Sequence, residues 1–256
     1  LHALLCGPNL PTVAVADFEV PLPTDPWAVH TDAVDFTHSA VDPLRTYRVT
    51  LRGHGESHSD PAALLRAERG TPAEVVLDLE WTTDGTPYQY RIATRYEIPC
   101  TVSGSVIIDG QRHTIDSVPG QRDHSWGVRD WWSMDWLWSA LHLDDGTHVH
   151  AVDIQIPGIP PVSIGYVQDA AAAVTEVHTI ARQQTFTDDG LPLSATLVVD
   201  PGGVTVTADV RGHAPLRLVS QDRRISQFPR VWATVATADG RTGVGWLEWN
   251  RNQSIQ

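Results

Sequence analysis

The sequence contains no lysine. All 18 of its basic residues are arginine, which removes Schiff-base and lysine general-base chemistry. Cysteine is nearly absent too: Cys6 and Cys100 stand far apart and form no CxxC pair, so a four-cysteine zinc site and a redox dithiol are excluded. Two buried thiols fit better than a disulfide, because nothing in the sequence argues for an oxidising compartment. No stretch reaches the run of about 18 apolar residues that a membrane helix needs, and no basic segment precedes an apolar one at the start. Positive charge is scarce, since 31 acidic residues against 18 basic ones leave a formal charge of −13, which would repel a phosphate backbone. Nucleic acid and stable membrane insertion are therefore not expected, and a cytoplasmic location is the default. No glycine-rich loop leads from a strand into a helix, which disfavours a nucleotide-binding α/β fold.

What is present is enough to fold. The chain has 256 residues, 41% of them hydrophobic, sufficient for one large core or two of about 100–150 residues each. It starts at Leu1 in an apolar run and reads as beginning inside a domain. Most of it reads as short strands of alternating polarity bounded by turns. Four Asp-Gly pairs, at Asp84, Asp109, Asp145 and Asp239, each sit between two such runs and predict hairpins. Strands at this spacing predict an all-β up-and-down barrel or sandwich. One segment reads as helix, of two to three turns: Ser59 or Asp60 as cap, Pro61 in the first turn, Leu64 and Leu65 as the apolar face, Gly70 as the stop. The segments around Asp109 and Asp239 echo one another, each a strand, a D-G-x-R-like turn and a return ending in tryptophan. Two similar β modules, with a boundary near residues 129–133, fit that echo as well as coincidence does.

The candidate chemistry is concentrated after residue 121. Five of the ten tryptophans, Trp126, Trp131, Trp132, Trp136 and Trp138, lie there among Arg122, Asp123, His124, Ser125, Arg129, Asp130 and Asp135. Clustered indoles make a rigid apolar wall whose π faces stabilise a cation, and they serve equally well to fill a seam between two β modules. A carboxyl group among them is pushed towards its neutral form unless Arg122 or Arg129 pairs with it. On a strand, Arg122 and His124 face one side while Asp123 and Ser125 face the other. Asp123-His-Ser125-Trp-Gly127 also looks like a degraded nucleophile elbow, without its leading glycine or its helix. His148 and His150, two residues apart, with His142 across the Asp145 turn, form a weak metal-ligand pattern. Tyr88, Tyr90 and Tyr96 with Arg91 and Arg95 could line a pocket mouth or pair across strands. Glu248, pointing the same way as Trp246, fits either a second acid or a solvated edge residue.

The segments PGQRDHSWGVRDWW, DWLWSALHLDDGTHVHAVDI and GIPPVSIGYVQ resemble a bacterial group related to hydroxyneurosporene synthase, the carotenoid hydratase, and the wider double-lipocalin, AttH-like superfamily. RDHSWG is the most specific part, and the likeness runs from the RYEIPCTVSGSV strands to the terminal GVGWLEWN. The resemblance implies two lipocalin-like antiparallel β-barrel domains packed side by side, here at 1–130 and 131–256, with one short helix and the first barrel lacking its opening strands. It further implies a hydrophobic cavity near the interface and cofactor-independent hydratase, cyclase or isomerase chemistry on terpenoid, steroid or polyketide molecules, with a lipid carrier as the alternative. Fold likeness by itself carries no activity. On this reading Asp123 is the acid, with His124 and Arg122 setting its protonation state. Trp126, Trp131, Trp136, Trp138, Tyr96 and Trp246 would bind substrate, with no metal or other cofactor. A small hydrophobic ligand is the expected partner, and monomer and homodimer both stay open.

Overall fold

The computed structural model describes residues 1–20, 24–127 and 130–253. These residues form two strongly curled antiparallel half-barrel sheets and one short helix. The first sheet holds β1 (His2–Gly7), β2 (Leu10–Ala16), β3 (Ala28–His30), β4 (Val34–Asp42), β5 (Thr46–His58), β6 (Thr71–Thr83), β7 (Tyr88–Gln89), β8 (Arg95–Ile108) and β9 (Gln111–Ser125). Its path runs β1-β2-β5-β6-β8, with β4 beside β5 and both β7 and β9 beside β8. The second sheet holds β10 (Asp135–Leu143), β11 (His148–Gln155), β12 (Val162–Gln168), β13 (Val174–Glu176), β14 (Thr179–Phe186), β15 (Pro192–Asp200), β16 (Val204–His213), β17 (Leu216–Val219), β18 (Ile225–Phe228), β19 (Arg230–Thr237) and β20 (Thr242–Asn252). Its order is β13-β12-β11-β10-β20-β19-β16-β15-β14, with the β17-β18 hairpin attached to β20. The curl brings its two ends together at residues 177–178, where Val177 N–H donates to the Gly165 carbonyl and His178 N–H to that of Asp200. Among the described residues, no helix is long and apolar enough to cross a membrane.

Alternation along the strands creates three apolar clusters. Inside the second sheet lie Leu137, Leu141, Val149, Leu197, Val231, Leu247 and Trp249, all almost fully buried, each full burial of such a side chain contributing about 1.5–3 kcal/mol. Val13, Val15, Leu51, Val75 and Leu77 fill the first sheet. The third cluster lies between the sheets: the opposite faces of β10, β11 and β12, presenting Trp138, Val152, Ile164 and Tyr166, meet Tyr88 and Tyr90. This inter-sheet layer positions the site described below.

Three of the four Asp-Gly pairs named above turn hairpins: Asp109-Gly110 joins β8 to β9, Asp145-Gly146 joins β10 to β11, and Asp239-Gly240 joins β19 to β20. Asp84-Gly85 does not. β6 pairs with β8 across it, Thr83 opposite Cys100, and residues 84–94 leave the ladder as a strap onto the second sheet. Thr86 N–H donates to Gln168 Oε1 at 2.8 Å, the Tyr88 hydroxyl donates to Glu176 Oε1 at 3.1 Å, and the Asp84 carbonyl lies 3.1 Å from His148 Nε2. These inter-sheet bonds replace the local hairpin. The helix α1 (Ala62–Leu65) is a single turn rather than two or three. Asp60 accepts from Ala62 N–H and from Arg66, and Ala67 takes a positive φ of 58° that ends it. Leu65 is buried and Leu64 only half-buried. Both cysteines are free, and burial pushes each thiol up to about 11.

Gly165 on β12 has φ +154°, and a Cβ there would lie 2.0 Å from the His150 carbonyl oxygen. Backbone strain alone costs about 1–3 kcal/mol at such a position. Gly165→Ala is expected to lower the midpoint of thermal unfolding by several degrees, read by circular dichroism; an unchanged midpoint would show that β11 and β12 separate freely.

Candidate functional site

The two sheets enclose a cavity of about 1530 Å³. One wall is the strap and the ends of β8 and β9, contributing Tyr90, Ile92, Arg95, Asp123, Ser125 and Trp126. The other is the outer face of the second sheet, with Trp136, Trp138, Val152, Ile154, Ile164, Trp246 and Glu248, closed at one end by Trp131, Met134, Phe228 and Arg230. Trp126, Trp131, Trp136, Trp138 and Trp246 all line this cavity. Trp131 packs edge-on to Trp136 at 5.5 Å and stacks on Phe228 at 5.6 Å. The buried Asn250 fixes the intervening turn by donating to the carbonyls of Trp131 and Met134.

Asp123 reaches this cavity because β9 pairs with β8 so that Glu97 stands opposite Asp123, and directly opposed residues share a face. Glu97 is fully buried and surrounded by donors. Arg95 Nε donates to Oε1 at 2.6 Å, Trp138 Nε1 to Oε1 at 3.0 Å, and Gln121 Nε2 to Oε2 at 3.0 Å, with the Tyr90 hydroxyl at 3.4 Å. Burial pushes the Glu97 carboxyl upward, against Arg95 and the other donors, which pull it down. Arg95 spans the two acids, its other nitrogen 3.2 Å from Asp123 Oδ2. Burial would lower its pKa, but Glu97 and Asp123 outweigh that and hold it above its ordinary value.

Asp123 is crowded by protein yet open to the cavity. Burial raises its carboxyl to about 6; Arg95 opposes the shift, while Glu97 and Glu248 add to it. Beneath it, His150 is fully buried and pushed down to about 3, first by burial and then by Arg95. Its neutral ring donates from Nδ1 to the Ser139 carbonyl at 2.9 Å and accepts the Tyr90 hydroxyl at Nε2 at 2.6 Å.

Arg122 and His124 are not in this arrangement. They lie on the opposite face of β9, in the hollow of the first sheet, where Arg122 sits over Tyr47 and Tyr96 at 4.9 and 5.6 Å and donates to the Tyr96 hydroxyl. His124 stacks on Tyr96. The expectation that Arg122 and His124 set the protonation of Asp123 is corrected: Arg95 and Glu97 do so. Tyr96 is likewise corrected, since it faces Arg122 and not the cavity. Alternation alone separates Arg122 and His124 from Asp123; for Tyr96 the cause is a bulge in β9. Counting back from the Asp109-Gly110 turn in unbroken register places Tyr96 opposite Asp123, but the pairing slips by one between Gly104–Ile115 and Val102–Val118, where Ser117 has φ +49°. One extra residue exchanges the faces. Arg129 lies outside the described residues.

The histidines separate as well. His142 and His148 hydrogen-bond to each other at 2.8 Å while His150 turns to Tyr90. Among the described residues no three His, Cys, Asp or Glu side chains converge as metal ligands. Glu248, on β20, is no solvated edge residue. It lines the cavity, accepts from Trp246 Nε1 at 3.0 Å, and lies 3.1 Å from Arg230 Nε. Arg230 donates to His2 Nε2 at 2.7 Å, and burial followed by Arg230 pushes that ring down to about 3. Glu97, Gln121 and Arg230 were not singled out from sequence, and Tyr90 and Arg95 only as residues of a pocket mouth, because the cross-strand register is what brings them to Asp123 and Glu248.

Two curled antiparallel sheets with an apolar cavity between them define a class of double half-barrel proteins. The structure matches an AttH-like protein from Nitrosomonas europaea with a TM-score of 0.53 and 12% identity, covering 85% of this chain and 87% of that one. It also matches kievitone hydratase from Nectria haematococca, with a TM-score of 0.50 and 11% identity, covering 88% and 86%. At these identities the likeness shows the fold. No curated protein matches by sequence. The chain belongs to the family described as Domain of unknown function (DUF7064), whose model matches residues 1–253.

Proposed function

We propose that the protein is a cofactor-independent lyase or isomerase that binds a terpenoid, steroid or polyketide molecule between its sheets and protonates an alkene of it from Asp123. The observation that carries this reading is a carboxyl raised to about 6 on the wall of a 1530 Å³ cavity faced by five indoles. Such an acid holds a proton near neutral pH and has a driving force for giving it up. A carboxylic acid is weak towards carbon, so the alkene must yield a tertiary or allylic cation. The indole faces of Trp136, Trp138 and Trp246 would stabilise that charge, and apolar Val152, Ile154 and Ile164 would hold the chain. A hydratase with the same fold supports the reading.

A lipid carrier is the second reading, favoured by one contact. The 3.2 Å approach of Arg95 to Asp123 is also what a structural ion pair looks like. Mass spectrometry of organic extracts separates the two. Wild type and Asp123→Asn are purified side by side; the reading expects the mutant to carry an alkene whose hydrated, cyclised or isomerised form accompanies the wild type. The same unaltered lipid in both would establish a carrier.

A further inference from the structure

Glu248 is a second acidic group on the cavity wall, and it comes from the other sheet. Asp123 is carried by β9 and Glu248 by β20. Trp138 is linked to the surroundings of both. Its Nε1 donates to Glu97, the cross-strand neighbour of Asp123, and it is itself the cross-strand neighbour of Glu248 on β10 and β20. An acid, an indole and a second carboxylate thus share one cavity. Glu248 is held in place by Trp246 Nε1 at 3.0 Å and by the Arg230 guanidinium at 3.1 Å, both contacts falling on Oε1. Oε2 accepts no hydrogen bond from the described residues. Arg230 is in turn fixed over the Phe228 ring at 4.4 Å and by His2. A cavity-lining carboxylate held through one oxygen, its other oxygen taking no hydrogen bond from the described residues, is positioned to accept a proton from a water molecule.

Resting on the alkene reading above, we infer that Glu248 is the general base that takes the proton of the attacking water, so that the site adds and removes water rather than only moving double bonds. The alkene π pair takes the proton from the Asp123 O–H, forming a C–H bond and leaving a cation over Trp138. A water oxygen lone pair then forms the C–O bond while a water proton passes to Glu248. Solvent takes the proton from Glu248 and supplies one to Asp123, so the net reaction is alkene plus water to alcohol, and the same steps reversed dehydrate an alcohol.

The test uses the full chain with farnesol and geranylgeraniol as probes, in D₂O and separately in H₂¹⁸O. For wild type the inference expects deuterium in the recovered alkene and ¹⁸O in an alcohol product. Glu248→Gln keeps acceptors for Arg230 and Trp246; it is expected to keep deuterium uptake within about threefold of wild type while ¹⁸O incorporation falls on the order of 100-fold. Glu248→Asp, melting as wild type does, should recover part of the ¹⁸O signal, which a merely structural role would not produce. Asp123→Asn should lose both labels. Undiminished ¹⁸O incorporation by Glu248→Gln overturns the role of Glu248 and leaves the acid reading standing. Label uptake by Asp123→Asn, or none by wild type with either probe, overturns the acid reading and this inference with it.

Discussion

Glu97→Ala is expected to unfold with about 3–5 kcal/mol less stability than wild type, the cost of breaking a buried ion pair from one side. The side chain it removes is fully buried and accepts from Arg95, Trp138 and Gln121. Alanine leaves the Arg95 guanidinium with Asp123 as its nearby carboxylate and strands the Trp138 indole N–H in an apolar layer. For a chain of this size the midpoint of thermal unfolding should drop by roughly 10 °C. Glu97→Gln should fall between the two, because one amide oxygen can still accept but the amide nitrogen faces donors. The mutation also has an electrostatic signature. Glu97 helps to raise Asp123, so its removal lets Arg95 pull the Asp123 carboxyl back towards its ordinary value near 3.9. Denaturation followed by circular dichroism, together with a carbon NMR titration of Asp123, reads both effects. A melting point within a degree or two of wild type would show that the inter-sheet layer does not depend on this carboxylate.

The second large effect is on turnover. Asp123→Asn replaces a cavity acid raised to about 6 with a side chain that cannot give up a proton, and general acid catalysis accounts for about 10²–10⁴-fold in rate. Once the extracted ligand is identified, its conversion should fall by at least that factor in the mutant. In wild type the protonated form is the active one, so the rate should be level below pH 6 and decline about tenfold per pH unit above it. Stability follows the same group. The folded state holds the Asp123 proton more tightly than the unfolded chain does, so this contribution is fully present below about pH 4. It is lost as the pH rises towards 6, and Asp123→Asn should remove that slope. A rate independent of pH between 5 and 8, or an active Asn variant, would move the acid elsewhere.

How far the residues announced this structure depends on which link is followed. Alternation and the Asp-Gly turns at 109, 145 and 239 were enough for an all-β chain, because a two-residue turn fixes its own hairpin. At Asp84 the same dipeptide failed. The partners of the strap, Gln168, Glu176 and His148, are about 60–90 residues away, and no local signal competes with that tertiary bonding. The tryptophan-rich segment was visible as a wall, since the alternation that sends Trp136 and Trp138 to one face of β10 sends Leu137 to the other. The polar partners of Asp123 were not visible. Their identity depends on a single bulged residue near Ser117, which puts Glu97 rather than Tyr96 beside the acid. Glu248 was visible only as ambiguous, because its burial is decided by Arg230 on β19 and by the facing sheet.

The most direct measurement is deuterium uptake by the extracted ligand, incubated in D₂O with wild type and with Asp123→Asn at pH 5.5 and 7.5 and read by mass spectrometry. Protonation from Asp123 predicts uptake by wild type that is greatest at pH 5.5 and more than tenfold lower at 7.5, with none above background in the mutant at either pH. Equal uptake by the two proteins, or no uptake by wild type at pH 5.5, would contradict it.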